Sequence, residues 1–340
     1  MLFFILLFLW CFTVLSSREI NNSHYFQISV VSSSDNAELP AQFQAADTPI
    51  WDEKTQSLFF VDIGTHRIMR LDYVSGVIHN KMISVGPVRL LALITDSQRV
   101  VASIRSTLFL LDLKRPLDSG LRVLTTVDSG QPDNVIQIGG ADAKGRLWVA
   151  TRGPIALGPS EQVLPERASL YSLSDNSFSS PRVHLRPLAS GNGLAWAHNE
   201  SFLYLLDGQT KEVMGFDFDP IRGELAGRRQ VMNLTVFCED DARPNHMIID
   251  KNGYLWVAML YGGKVLHINP STRELLYSYK LPVPRVTALC WGGPNLDELF
   301  VTSAQNKEQM PLAGALFTIR GTGSRGVVGH RMTFENADEY

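Results

Sequence analysis

One pattern constrains this chain more than any other. Six times, a short apolar strand meets an Asp/Asn/Gly turn and a second, more apolar strand follows, with a third close behind. The second strands centre on Phe60, Val101, Trp148, Tyr204, Trp256 and Phe300. Their spacing is roughly 40 to 55 residues, the period of propeller blades. The best-formed unit is Asn245 to Ile249, a turn at Asp250-Lys-Asn-Gly253, Leu255 to Met259, a turn at Gly262-Gly263, and Val265 to Ile268. No helical periodicity interrupts the series. Each unit is a small sheet with two apolar faces, and it can bury both only against neighbouring units arranged about an axis. The expected fold is therefore all-β, a six-bladed β-propeller. A many-stranded β-sandwich is disfavoured by the regular repeat.

The boundaries follow from that reading. Residues 1–17 form a signal peptide, because Met1 to Leu15 is almost wholly apolar, short for a membrane span, and followed by Ser16-Ser17-Arg18-Glu19. An uncleaved signal anchor is the rival. Residues 18–45 read as an N-terminal arm, 46–334 as the propeller and 335–340 as a tail. Ile20 to Val31 and Gly326 to Phe334 are the segments available to close the ring by adding a strand to the last blade. A secreted, extracellular protein with no membrane segment after signal removal is expected. Sequons at Asn21, Asn199 and Asn233 fit that compartment. Cys238 and Cys290 remain after the signal; a buried free thiol is the reading for Cys290, in an apolar strand. The net charge is -3 and no basic run occurs, which argues against nucleic acid as a partner. Oligomeric state is not readable.

In a propeller the loops leading into the innermost strands gather at one mouth of a central channel. Polar residues at those positions are Asp47, Gln137, Asn192 and Asn245, with Arg89 and Arg285 in similar places in units two and six. Oxygen ligands of this kind suit hard cations. Asn and Asp also serve simply as turn residues.

Five segments carry a resemblance: Ala46-Asp-Thr-Pro-Ile-Trp51, Ser190-Gly-Asn-Gly-Leu-Ala-Trp196, Arg243-Pro-Asn-His-Met247, Gly253-Tyr-Leu-Trp-Val-Ala258 and Gly292-Gly-Pro-Asn-Leu-Asp-Glu-Leu-Phe-Val-Thr-Ser303. They resemble the motifs of the senescence-marker-protein, gluconolactonase and regucalcin family, which includes luciferin-regenerating enzyme-like regions. The resemblance implies a six-bladed propeller, hydrolysis of sugar lactones or related esters, and one divalent cation (Ca²⁺, Zn²⁺, Mn²⁺ or Mg²⁺) in the channel. It places the metal ligands at Asp47, Asn192 and Asn245. At Asn245 the family keeps an Asp that is also its general base. An amide is not a base near neutral pH, and the ligand set loses one negative charge, so metal affinity should fall. The family's substrate-contacting segment falls on Val135, Gln137 and Ile138, two of them apolar. Asp240, Asp241 and His246 are the residues available to compensate, although Glu239-Asp240-Asp241 also reads as a solvated loop and His246, next along the strand, should point away from the channel.

Two functions follow. One is a metal-dependent lactone or ester hydrolase with an altered site, acting on a small lactone. The other is a secreted, non-catalytic propeller that binds a small ligand or protein partner after loss of the base at Asn245. A third, weaker reading is a different propeller enzyme built on Arg89, Arg285 and the Glu239 to Asp241 loop.

Overall fold

A computed structural model describes residues 26–31, 41–156, 162–175, 178–306, 310–335 and 337. The apolar run at 1–15 and the sequon at Asn21 lie outside these residues. The described chain forms six four-stranded antiparallel sheets, the six blades of a β-propeller. Their inner strands are Ala46–Asp52, Val88–Leu93, Val135–Ala141, Gly191–Trp196, Arg243–Ile249 and Val286–Gly292, and these touch one another around the ring. Second strands such as Ser57–Asp62, Leu147–Arg152 and Leu255–Leu260 are buried along their whole length. Burial on both faces is why they read as continuous apolar runs instead of alternating ones. The outer strands, such as Ile78–Met82, are largely exposed. Among the described residues no helix is long and apolar enough to cross a membrane.

The ring is closed by the N-terminal arm. Gln27–Val30 pairs antiparallel with Phe317–Arg320 and becomes the outer strand of blade 6. Sheet hydrogen bonds thus tie the two ends of the propeller together, leaving no gap between its first and last blades.

The turn between the first two strands carries a recurrent lock. In blade 5, Asp250 accepts through Oδ1 from the backbone N–H of Asn252 (2.9 Å) and Tyr254 (3.0 Å), and through Oδ2 from the indole N–H of Trp256 (3.0 Å). In blade 3, Asp142 accepts from Lys144 N (2.9 Å), Arg146 N (3.1 Å) and the Trp148 indole (2.9 Å). Both tryptophans are fully buried. His267 stacks on Trp256 at 4.0 Å and His184 on Trp148 at 4.3 Å. Six residues separate Asp from Trp in each case, so one carboxylate fixes the turn and satisfies the buried indole together.

Gly326 to Phe334 does not close the last blade. It crosses the far face of the propeller as a strap. Lys251 N donates to Arg325 O (2.8 Å) and Gly326 N to Leu296 O (2.7 Å), which fixes one end at blades 5 and 6. His330 pairs with Glu200 of blade 4 (2.7 Å) and Arg331 with Asp52 of blade 1 (2.5 Å). Met332 is fully buried and bridges Ile94 of blade 2, while Thr333 N donates to Gly145 O of blade 3 (3.0 Å). Gly145 has φ +74°, and a Cβ there would lie 2.0 Å from Thr333 Oγ1, so only glycine accommodates this approach. Cys238 and Cys290 are both free thiols.

Candidate functional site

Each inner strand slips register once against its neighbour, near the end of the strand where the chain comes in. The unpaired residues are Thr48 and Pro49 in blade 1, Arg89 in blade 2, Gln137 in blade 3, Asn192 in blade 4, Asn245 in blade 5, and Thr287 with Ala288 in blade 6. A bulge re-aims a side chain and frees its backbone from the ladder. Four of the polar residues singled out from the sequence, Arg89, Gln137, Asn192 and Asn245, thus occupy equivalent bulges. Asp47 sits one residue ahead of its bulge, paired with Val61.

The bulges are linked from blade to blade. Asn192 Nδ2 donates to Asn245 O (3.4 Å), Asn245 Nδ2 to Thr287 O (2.8 Å), Thr287 Oγ1 to Ala46 O (2.6 Å) and Thr48 Oγ1 to Arg89 O (2.6 Å). This polar girdle runs from blade 4 through blades 5, 6 and 1 to blade 2. Thr48 and Thr287, which sequence reading passed over, are the hydroxyls that complete it.

Above the girdle the mouth is rich in arginine. Arg152 ends the second strand of blade 3 and is buried at 9% exposure. Its Nε donates to Gln137 Oε1 (2.8 Å) and its Nη1 to Gly153 O (2.9 Å). Burial, followed by the neighbouring Arg89 and Arg243 guanidiniums, pushes its pKa down to about 9, so it stays cationic at neutral pH. Burial also lowers Arg89, against the pull of Asp47. Enclosure raises the Asp47 carboxyl above the ordinary carboxylate value, opposed first by the Thr48 N–H (2.8 Å) and then by Arg89 and Arg152. Arg243 and Arg285 both lie over one ring, Tyr261, at 5.2 and 5.4 Å from its centroid. Two guanidiniums, Arg89 and Arg152, therefore act on one carboxylate, Asp47, and Arg243 adds its charge beside Arg152.

The remaining predicted residues fall as follows. Val135 is half-buried and Ile138 is buried, so neither offers a polar contact. Asp240 and Asp241 are exposed on the loop ahead of blade 5, where Glu239 pairs with Lys264 (3.0 Å). His246 is buried, and burial drives its pKa down to about 4; its Nδ1 accepts from Leu289 N (3.4 Å), so the neutral ring carries its proton on Nε2.

The donor set can be tested against a divalent cation. Asn192 Oδ1 already accepts from Ser190 Oγ (2.7 Å) and Gly208 N (3.1 Å), which uses both lone pairs, and turns its amide NH₂ towards Asn245. The Gly208 N–H fixes that orientation, since only an oxygen can face it. Asn245 spends its NH₂ on Thr287 and keeps one oxygen. Asp47 supplies a carboxylate flanked by guanidiniums. Calcium takes about six to eight oxygens. Two such residues beside a cationic cluster do not fit it, and no group of three or more His, Cys, Asp or Glu among the described residues could hold a metal.

Residues 45–305 match the sequence profile described as the SMP-30/Gluconolactonase/LRE-like region. The chain belongs to the SMP-30/gluconolactonase/LRE-like family. It is 31% identical to the regucalcin of Pongo abelii over 296 residues, covering 85% of this chain and 95% of that one. A luciferin-regenerating enzyme superposes with a TM-score of 0.78 at 26% identity, over 86% of this chain and 96% of that chain. A protein described as the calcium-binding regucalcin of Agrobacterium tumefaciens shares the fold, with a TM-score of 0.72 at 19% identity over 86% and 94%.

Proposed function

We propose that this family member uses its channel mouth to recognise a small polyhydroxy carboxylate, the class of product that opening a sugar lactone yields, without metal-assisted turnover. The observation that carries the reading is Arg152. A buried guanidinium held in place by Gln137, with Arg89 and Arg243 beside it, is expensive to maintain unless an anion joins it. Guanidinium and carboxylate pair through two parallel charge-assisted hydrogen bonds. The Asn192 NH₂, the Asn245 oxygen and the Asp47 carboxylate then offer a donor and acceptors for ligand hydroxyls. The family's description, which includes gluconolactonase, supports the sugar-acid class.

A second reading has its own support. The raised proton affinity of Asp47 suits a general base, and Arg152 suits an oxyanion partner, so the same residues could open a lactone without a metal. The two are separated by measuring gluconate binding calorimetrically and gluconolactone hydrolysis with and without EDTA, and with added Ca²⁺, Zn²⁺, Mn²⁺ or Mg²⁺. Gluconate binding with no turnover above background supports the first reading. Metal-independent turnover lost in Asp47→Asn supports the second. Turnover that EDTA abolishes and a cation restores overturns both and returns the chain to metal-assisted hydrolysis.

Export belongs to the same proposal. Asn199 is exposed in a turn and Asn233 is exposed at the end of the outer strand of blade 4, as glycan acceptors must be. Expression in a eukaryotic secretory host should give medium-borne protein whose gel mobility rises after N-glycosidase; unglycosylated protein retained in the cytosol would count against it.

A further inference from the structure

Below the polar girdle, the channel widens into a cavity of about 710 Å³ between the inner strands of all six blades. It is separate from the mouth: Thr48 and the following residues line it, whereas Asp47, Arg89 and Arg152 do not. The strap Arg325 to His330 forms its roof on the far face. Its size lies within the range of sites for drug-sized ligands, about 300–1,000 Å³.

Next to the inner strands the walls are largely apolar, while Glu53, Glu200, Asp250, Lys251 and Arg325 line the end under the strap. Ile138, Leu194, Met247 and Leu289 contribute side chains to the apolar walls, and three indoles, Trp51, Trp196 and Trp291, complete the lining. The N–H groups of these three tryptophans are buried, and none has a hydrogen-bond acceptor. Trp148 and Trp256, the blade-core tryptophans, both have one. Buried donors in folded proteins are nearly always met. The N–H groups of Trp51, Trp196 and Trp291 are closed off by packing and do not open into the cavity, so they are not available to a ligand there. His246 also lines the cavity, and with Nδ1 accepting from Leu289 its proton is on Nε2, a donor on an otherwise apolar wall.

From the cavity, the single His246 donor on its wall and its roof, we propose that the channel holds a second binding site, for an apolar small molecule carrying a single hydrogen-bond-accepting oxygen, such as a cyclic ketone. The apolar body fills the space between the apolar walls, and the oxygen accepts from His246 Nε2. Such a ligand leaves no donor or acceptor of its own unmet, whereas a charged or polyhydroxy ligand would strand several groups against the apolar wall. The strap is fixed at Gly326 and Met332 by backbone hydrogen bonds, while between them it is tied by side-chain pairs such as His330–Glu200.

The test uses the full chain and the neutral dye N-phenyl-1-naphthylamine, whose emission rises in apolar surroundings, with camphor and its parent hydrocarbon camphane as competitors. Energy transfer from the lining tryptophans to the dye should accompany binding. Camphor should displace the dye at least about tenfold better than camphane. In Gly140→Leu, whose new Cβ meets only Trp196 at 3.7 Å, the side chain grows into the cavity, and dye affinity should fall at least about tenfold while gluconate binding at the mouth stays unchanged. His246→Phe keeps the shape and should keep the dye while reducing the preference for the ketone. Dye binding unaffected by Gly140→Leu in a variant with unchanged melting, dye displaced by gluconate, or no dye binding by the wild type overturns the proposal.

Discussion

Replacing Arg152 by alanine should weaken gluconate binding about 10- to 100-fold, the equivalent of about 1.5–3 kcal/mol for a hydrogen bond to a charged group. The direction follows from where this guanidinium sits. It is buried, its Nε is committed to Gln137 and one Nη to Gly153, and the remaining N–H groups are left for an incoming anion. Arg152→Lys should recover only part of the affinity, because an ammonium cannot hold the Gln137 contact and pair in two places at once. The effect on stability should run the other way. Arg152 is surrounded by Arg89 and Arg243 with Asp47 as the opposing charge, so alanine relieves like-charge repulsion and desolvation together. Calorimetric titration should therefore show lost affinity in a variant that melts no lower than the wild type. A variant that keeps its affinity would remove Arg152 from the site, and one that loses both affinity and fold would make it a structural residue.

Trp256→Ala should cost about 3–5 kcal/mol of stability, read as a shift in urea unfolding midpoint. Trp256 is fully buried at the contact between blades 5 and 6, stacked on His267 and Tyr279 and edge-on to Trp291 at 5.1 Å. Alanine opens a cavity on both sides of that contact and strips Asp250 of the indole N–H, leaving a buried carboxylate oxygen less well met. Trp256→Phe retains most of the ring volume and loses only the N–H, so its cost should be distinctly smaller. If the two variants unfold at the same denaturant concentration, the hydrogen bond to Asp250 and not the packing is what matters there. The mouth lies at the other end of the blade, so gluconate binding by the folded fraction should be unchanged in both.

The blades were legible because their signal is local. Asp250 and Trp256, or Asp142 and Trp148, lie six residues apart, and the turn, the capping carboxylate and the buried strand all fall within one short window. Gly326 to Phe334 carried no such signal. It has neither the alternation of an edge strand nor a turn that fixes a partner, and its path is set by Met332 finding a pocket between blades 2 and 3 and by Gly145 admitting Thr333. The candidate site was half legible. Asn192 and Asn245 stood out as amides ahead of apolar strands, and both occupy bulges of the girdle. Arg152 did not, because Trp148-Val-Ala-Thr-Arg152 reads as one more central strand, and only the cross-strand register puts its last residue beside Gln137. His246 was expected to point away from the channel; instead it lines the channel's inner cavity, which no sequence window could reveal.

The sequence by itself determined the number of blades, the place of each buried strand and the absence of a carboxylate at Asn245, since these depend on hydrophobic pattern and residue type alone. The tertiary structure decided which side chains meet. Bulges arise from pairing between strands, a guanidinium's charge environment arises from blades far apart in sequence, and a channel cavity exists only once six inner strands surround an axis and a strap lies across its end.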